Sequence, residues 1–147
     1  MNYPNLMFNW PAMIVAMVAS FSFGFLWYGP ICGKQWADAM GIKMDKRPDG
    51  LIMAKFMSLE IVGLFFTVYV LAHAIQIWRP TVWGVGQDSA NYTYGLMCGF
   101  FTWIGYYVPQ QFIKVTWEGR PNKLFFINAI HNFINLQIIC QILAHWR

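Results

Sequence analysis

The sequence predicts an all-α protein, an integral membrane four-helix bundle with a short cytoplasmic interfacial helix. Three observations predict it. Four long apolar stretches occupy most of the 147 residues. Only 11% of residues are charged while 58% are hydrophobic, too apolar a balance for a water-soluble domain of this size. No ten-residue alternating segments of the kind a membrane barrel needs are present, so backbone polar groups are expected to be satisfied inside helices. The stretches run from about residue 8 to 28, 51 to 78, 94 to 114 and 123 to 145 of a single domain, 1–147. Each has about the 20 residues that a helix needs to cross a hydrocarbon core about 30 Å thick.

The first stretch is expected to be retained. Residues 1–9 carry no Lys or Arg, and no small-residue cleavage site follows the apolar run. It carries Ala12, Ala16, Ser20 and Gly24 every four residues, a small-residue face suited to close helix packing. The helix is expected to stop at Trp27-Tyr28-Gly29-Pro30, because proline lacks a backbone donor. Residues 34–40 then place Trp36, Ala39 and Met40 opposite Lys34 and Asp38, with Gly41 as end cap. This segment is predicted to lie flat on the membrane surface.

The second stretch contains Glu60 among apolar residues, and the third opens on a Gly95, Gly99 pair followed by Thr102 and Tyr106 on nearly the same face. The small faces of the first and third helices are expected to touch each other, with a homo-oligomer seam as the alternative. Pro109 predicts a kink that frees a carbonyl. Trp117-Glu118-Gly119-Arg120-Pro121 reverses the chain, with Pro121 expected in the first turn of the fourth helix, so the last two helices form an antiparallel hairpin. The loop 81–92 is polar, and Asn91-Tyr92-Thr93 is formally a glycosylation acceptor that matters only in a eukaryotic lumen.

Basic residues set the expected orientation. Lys34, Lys43, Lys46, Arg47, Lys55, Lys114, Arg120 and Lys123 flank one side, and only Arg79 and Arg147 the other. The positive-inside rule then puts the first and third connections in the cytoplasm and both termini outside, in a bacterial inner membrane. Trp10, Trp78, Trp83 and Trp146 mark the outer boundary, and Trp27, Tyr28, Trp36 and Trp117 the inner one. The net charge of +4 is accounted for by these loops, so nucleic acid is not an expected partner. Membrane lipids and other membrane-protein subunits, or copies of the same chain, are.

Chemistry is confined to one layer. Glu60, Tyr106, Tyr107, Gln110, Asn128, His131, Asn132 and Asn135 fall at similar depth, and Ser20 and Ser22 reach the same zone. Asn128, His131, Asn132 and Asn135 share one sector of the fourth helix, so they point into the bundle or at a partner. A carboxylate in hydrocarbon must be protonated, paired or wet. Glu60 therefore locks the bundle through hydrogen bonds, serves a proton, ion or solute pathway, or touches a ligand or pigment. Gln137 and Gln141 lie on the opposite face of the fourth helix, which suggests a protein partner there.

No catalytic residues, metal ligands or cofactor are predicted. Cys32, Cys98 and Cys140 lack metal spacing and read as small packing residues, Cys98 and Cys140 falling at similar depth. His73 and His145 lie near the outer face as the weak candidates for a haem contact. Glu60 and His131 alone do not make a positioned acid, base and substrate pocket, so an enzyme is not expected.

Phe23-Gly24-Phe25-Leu26-Trp27-Tyr28-Gly29-Pro30, Gly33-Lys34-Gln35-Trp36 and Glu118-Gly119-Arg120-Pro121 leading through Asn128 and His131 together resemble the bacterial membrane proteins of domain of unknown function 1761. The resemblance covers nearly the whole chain and implies a compact four-span domain. It implies no activity. The unusual load of Trp, Met and Phe points to a protein or pigment partner rather than bulk lipid. The sequence thus favours a non-enzymatic accessory or assembly subunit of a larger membrane complex. The other reading is a small homo-oligomeric transporter or channel for protons or a small solute, using Glu60.

Overall fold

The computed structural model describes residues 6–42 and 49–146, and among them every regular element is helical. Lys43, Asp45, Lys46, Arg47 and Arg147 lie outside the described residues. Helix α1 spans Trp10–Leu26 and starts where the Asn9 side chain accepts a hydrogen bond from the Ala12 amide at 3.0 Å, with Pro11 in its first turn. It does not stop at Pro30. Trp27–Ile31 continues as a π turn, closed by the Cys32 amide bonding the Trp27 carbonyl at 2.7 Å. The wider turn tolerates a proline that has no amide of its own to donate. Helix α2, Gly33–Met40, follows at once and ends on Gly41 at φ 68°, as the sequence predicts.

Helix α3, Gly50–Ile77, is capped by Asp49 and is the longest element. Pro80–Trp83 forms a short 3-10 turn. The expected third span is one helical run in three pieces: α4 at Asn91–Thr102, a π turn at Trp103–Tyr107 and α5 at Val108–Thr116. The π turn ends two residues before Pro109, whose ring would otherwise press on the carbonyl four residues back, that of Gly105 within the turn. Gly119 turns the chain at φ 64°, and helix α6 covers Asn122–His145. Pro121 stands just before that helix as its cap, rather than inside its first turn. Trp10–Ile31, Gly50–Ile77 and Asn122–His145 are long and apolar enough to cross a membrane, which marks a membrane protein.

Helix α6 is the hub. Helix α1 packs on it and on α3, while α4 packs on it from another side. The small faces of α1 and α4 therefore do not meet, contrary to the expectation; each meets α6 instead. Ala12, Ala16 and Ser20 are buried, and the surrounding core comprises Leu64, Val68, Leu71 and Ile75 of α3 with Leu136, Ile139, Cys140 and Ala144 of α6. On α4, a Cβ at Gly95 would lie 2.8 Å from Gln141 Oε1, and one at Gly99 2.5 Å from Gln137 Nε2. Those amides donate to the Tyr92 carbonyl at 3.2 Å and the Leu96 carbonyl at 3.4 Å. The second polar face of α6 is thus covered by the chain's own α4, and it is not a face left over for another protein.

All these core residues belong to one end of the bundle, which we call the closed end. There Arg79, only 2% exposed, is bound to Asp88 at 3.3 Å, Asn91 at 3.0 Å and the Ala144 carbonyl at 2.9 Å, and its guanidinium lies 4.5 Å from the Tyr94 ring centroid. Loop 81–90 is thereby tied to the ends of α4 and α6. The opposite end is open. Every residue of α3 from Gly50 to Gly63 is exposed, whereas Leu64, Val68, Leu71, Ala72 and Ile75 farther along the helix are buried.

The α4–α6 contact makes a specific expectation. Gly99→Ala should cost about 1 to 2 kcal/mol of unfolding free energy in detergent, because the new methyl displaces the Gln137 amide. In a Gln137→Ala background the same change should cost less than about 0.5 kcal/mol. A double-mutant cycle read by thermal or denaturant unfolding measures the difference.

Candidate functional site

At the open end the polar residues divide into two groups. Tyr28, at the π turn after α1, donates through its hydroxyl to Asn128 Oδ1 at 2.9 Å. Asn128 Nδ2 in turn points at Gln111 Oε1, 3.5 Å away. Gln111 is buried, while Gln110, the residue expected in the layer, is exposed. Position 111 faces α6 because α5 begins only after the π turn, which adds a residue to the helical count. Uniform helical spacing from Gly95 cannot anticipate that offset.

The second group surrounds His131. Its ring stacks on Phe23 at 5.3 Å and an interplanar angle of 7°, meets Tyr28 at 4.7 Å and stands 6.0 Å from Trp27. Its Nδ1 lies 3.3 Å from Asn132 Oδ1. Among the described residues its Nε2 is buried with no hydrogen-bond partner, and so are Asn135 Oδ1, Trp27 Nε1 and, on another face of α6, Gln141 Oε1. A buried polar atom left without a partner costs about 1 to 3 kcal/mol.

A cleft of about 330 Å³ opens at this point between α1, α3 and α6. Its polar lining is Ser20, Tyr28, Glu60, His131 and Asn135, and Phe21, Phe25 and Phe56 supply aromatic walls. Gly24 leaves the approach clear: a Cβ there would stand 3.7 Å from His131 Nε2. Counting about 1.5 Å per residue, Glu60 lies some 15 Å along α3 and His131 some 13 Å along α6, so both sit near half the thickness of a hydrocarbon core. Glu60 is exposed and makes no hydrogen bond among the described residues, so it does not lock helices together. Its carboxylate is within electrostatic reach of the Tyr28 hydroxyl.

Of the residues placed in one layer by the sequence, Glu60, His131 and Asn135 share the cleft, with Ser20. Asn132 holds the His131 ring, and Asn128 binds the Tyr28 turn. Tyr106 and Tyr107 do not join them. Tyr106 is 73% exposed and lines a separate groove with Tyr94, Met97 and Cys98, while Tyr107 packs against the apolar core. Ser22 is exposed. Sequence reasoning missed Gln111 and underused Tyr28, whose place beside Pro30 was read only as a boundary mark.

Other candidates resolve simply. His73 and His145 each place Nδ1 2.9 Å from a carbonyl of their own helix, Tyr69 and Gln141, as helical residues four apart allow. Cys140 is buried in the apolar core and Cys98 packs against that core from α4. Asn91 is engaged by Arg79.

The segments that carry the family resemblance meet here. Residues 23–28 enclose His131, and Arg120 reaches the Met40 sulfur at 3.6 Å beside Trp36.

If Asn128 ties the π turn to α5 and α6, Asn128→Ala should lower stability by about 2 kcal/mol by stranding the Gln111 amide and the Tyr28 hydroxyl. Gln110→Ala should stay within about 0.5 kcal/mol of the parent. Unfolding in detergent, monitored by helical circular dichroism, separates the two.

The chain belongs to the family described as "Protein of unknown function (DUF1761)", whose family model matches residues 11–144. No curated protein and no solved structure matches the chain.

Proposed function

We propose that this member of the family is a non-enzymatic, four-span protein of a bacterial inner membrane that binds a proton-linked or small organic solute in the Glu60 cleft. The observation that carries the reading is the convergence of an unbonded Glu60 with two partnerless buried atoms, His131 Nε2 and Asn135 Oδ1, on one cavity. Ionisable groups within a membrane span mark pathways and ligand sites, because hydrocarbon penalises them unless they are used. One such chain encloses little of a transmembrane path, so transport would require copies of the chain to combine. In reconstituted vesicles Glu60→Gln should reduce solute or proton flux at least about tenfold. Unchanged flux in the mutant would leave the carboxylate without the role assigned to it.

A second reading, an accessory or assembly subunit of a larger membrane complex, draws on a different observation. Residues 50–63 are all exposed and only border the rest of the described chain at the cleft, although they include Lys55, Ser58 and Glu60. A neighbouring subunit packed there would complete the open end. Mild extraction from the native membrane followed by size separation and mass spectrometry tests this, and a chain that always migrates alone would count against it.

In both readings α2 and the 117–121 turn lie on the cytoplasmic side and loop 81–90 outside, given the excess of basic residues flanking the open end. Asp88 is unsuitable as a reporter because it holds Arg79. With the native cysteines replaced, exposed Gln87→Cys should label from outside intact cells, and exposed Gln35→Cys only after the membrane is opened. Equal labelling of both would indicate dual orientation.

A further inference from the structure

Three residues that line the cleft, Glu60, His131 and Asn135, carry acceptor atoms with no hydrogen-bond partner among the described residues. Asn132 Oδ1 can only accept, so the 3.3 Å contact places the proton on His131 Nδ1 and leaves Nε2 of the neutral ring with a lone pair. Asn135 Oδ1 is a second acceptor without a partner, and the Glu60 carboxylate a third. The Tyr28 hydroxyl is already spent on Asn128. His131 is 8% exposed and its Nε2 is one of the atoms lacking a partner, so the cavity contains a built polar element and is more than a gap between helices.

The rest of the lining selects among donors. Phe21, Phe25 and Phe56 surround the polar groups, and the cleft is open on the side where α3 departs from the bundle. A small, strongly hydrated inorganic cation would find too few oxygens here to replace its water. A cation with an apolar body would gain on both counts, since aromatic faces attract positive charge while burying hydrocarbon.

We propose that the cleft is a binding site for a lipophilic primary ammonium ion. Its ammonium group meets the exposed Glu60 carboxylate and displaces the side chains that cover His131 Nε2 and Asn135 Oδ1 to bond those atoms, and its apolar body rests on the phenylalanine walls. This names the solute class of the cleft and rests on the solute-binding reading above. The aromatic walls would make affinity depend on the hydrocarbon part, and the acceptor set would make it depend on charge and on N–H groups.

The test uses the full chain in lipid nanodiscs at neutral pH. Three probes of equal apolar body are titrated calorimetrically: 2-phenylethylammonium, its N-trimethylated derivative and neutral 2-phenylethanol. Saturable binding of the primary ammonium is expected, at least tenfold tighter than either of the others. Glu60→Gln should weaken it at least tenfold, and His131→Phe or Asn135→Leu about fivefold each. Gly24→Leu fills the approach to His131 Nε2 without removing an acceptor and should abolish binding; helical circular dichroism and a single elution peak show that each variant folds. If the alcohol binds as tightly as the ammonium, or Glu60→Gln leaves the ammonium affinity unchanged, the ammonium assignment is overturned while a solute site survives. Equal binding of the trimethylated probe overturns the role of the N–H donors. If no probe binds saturably to folded protein, the ammonium assignment falls, and Gly24→Leu then separates the readings. Wild-type flux lost in that variant keeps the cleft as a pathway, and unaffected flux removes it.

Discussion

Close approach to α6 is the constraint from which the remaining architecture follows. Lipid tails are as apolar as leucine, so helices in a membrane gain little from hiding hydrocarbon and associate through tight packing and hydrogen bonds. Helix α6 meets small residues on two sides: Ala12, Ala16 and Ser20 of α1, and Gly95 and Gly99 of α4. Where the neighbour is glycine, α6 presents glutamine, whose amide reaches past the missing side chain to a backbone carbonyl. The polar groups at 137 and 141 are therefore part of the packing. With α6 held this way, α3 can lean on α1 and α6 through Leu64 to Ile75 without needing to follow them to the other end.

That freedom gives the molecule two unlike ends. At the closed end an apolar core and the Arg79 clamp join loop 81–90 to the ends of α4 and α6. At the open end proline-linked π turns interrupt both α1 and the α4–α5 run. A π turn rotates the residues that follow it relative to a regular helix. After α1 it leaves Trp27 and Tyr28 around His131, and before α5 it turns Gln111 inward. Tyr28, Asn128 and Gln111 then hold these turns to α6, so the position of the imidazole depends on hydrogen bonds that run from Tyr28 in the cleft to Asn128 and Gln111 outside it. The aromatic load of the sequence has a partial account in the same place: Phe23, Trp27 and Tyr28 are spent on His131. Many others, Phe66, Phe126 and Trp117 among them, face outward.

The helices themselves were legible in the sequence, because length and apolarity are properties of each stretch taken alone. So were the Gly41 cap, the turn at Gly119 and the small faces of α1 and α4, which require only periodicity and the conformational freedom of glycine. Which helix each small face would meet was not legible, because a small-residue stripe specifies close approach and leaves the neighbour open. The common depth of Glu60 and His131 followed from counting residues, and the shared face of His131 and Asn135 from helical spacing. Excluding Tyr106 and Gln110 did not, since depth fixes height along the bundle and says nothing of rotation about each helix axis.

By itself, then, the sequence determined a membrane-embedded helical chain, its breaks and the layer in which its polar residues lie, all consequences of local composition and the thickness of hydrocarbon. Only the tertiary structure decided that α6 is the hub, that the amide nitrogens of Gln137 and Gln141 bond to α4, that Gln111 replaces Gln110, and that Glu60, His131 and Asn135 line one cleft. Those outcomes depend on the rotation of each helix after its π turn and on the side from which it approaches α6. Such relations exist only between segments far apart in the chain.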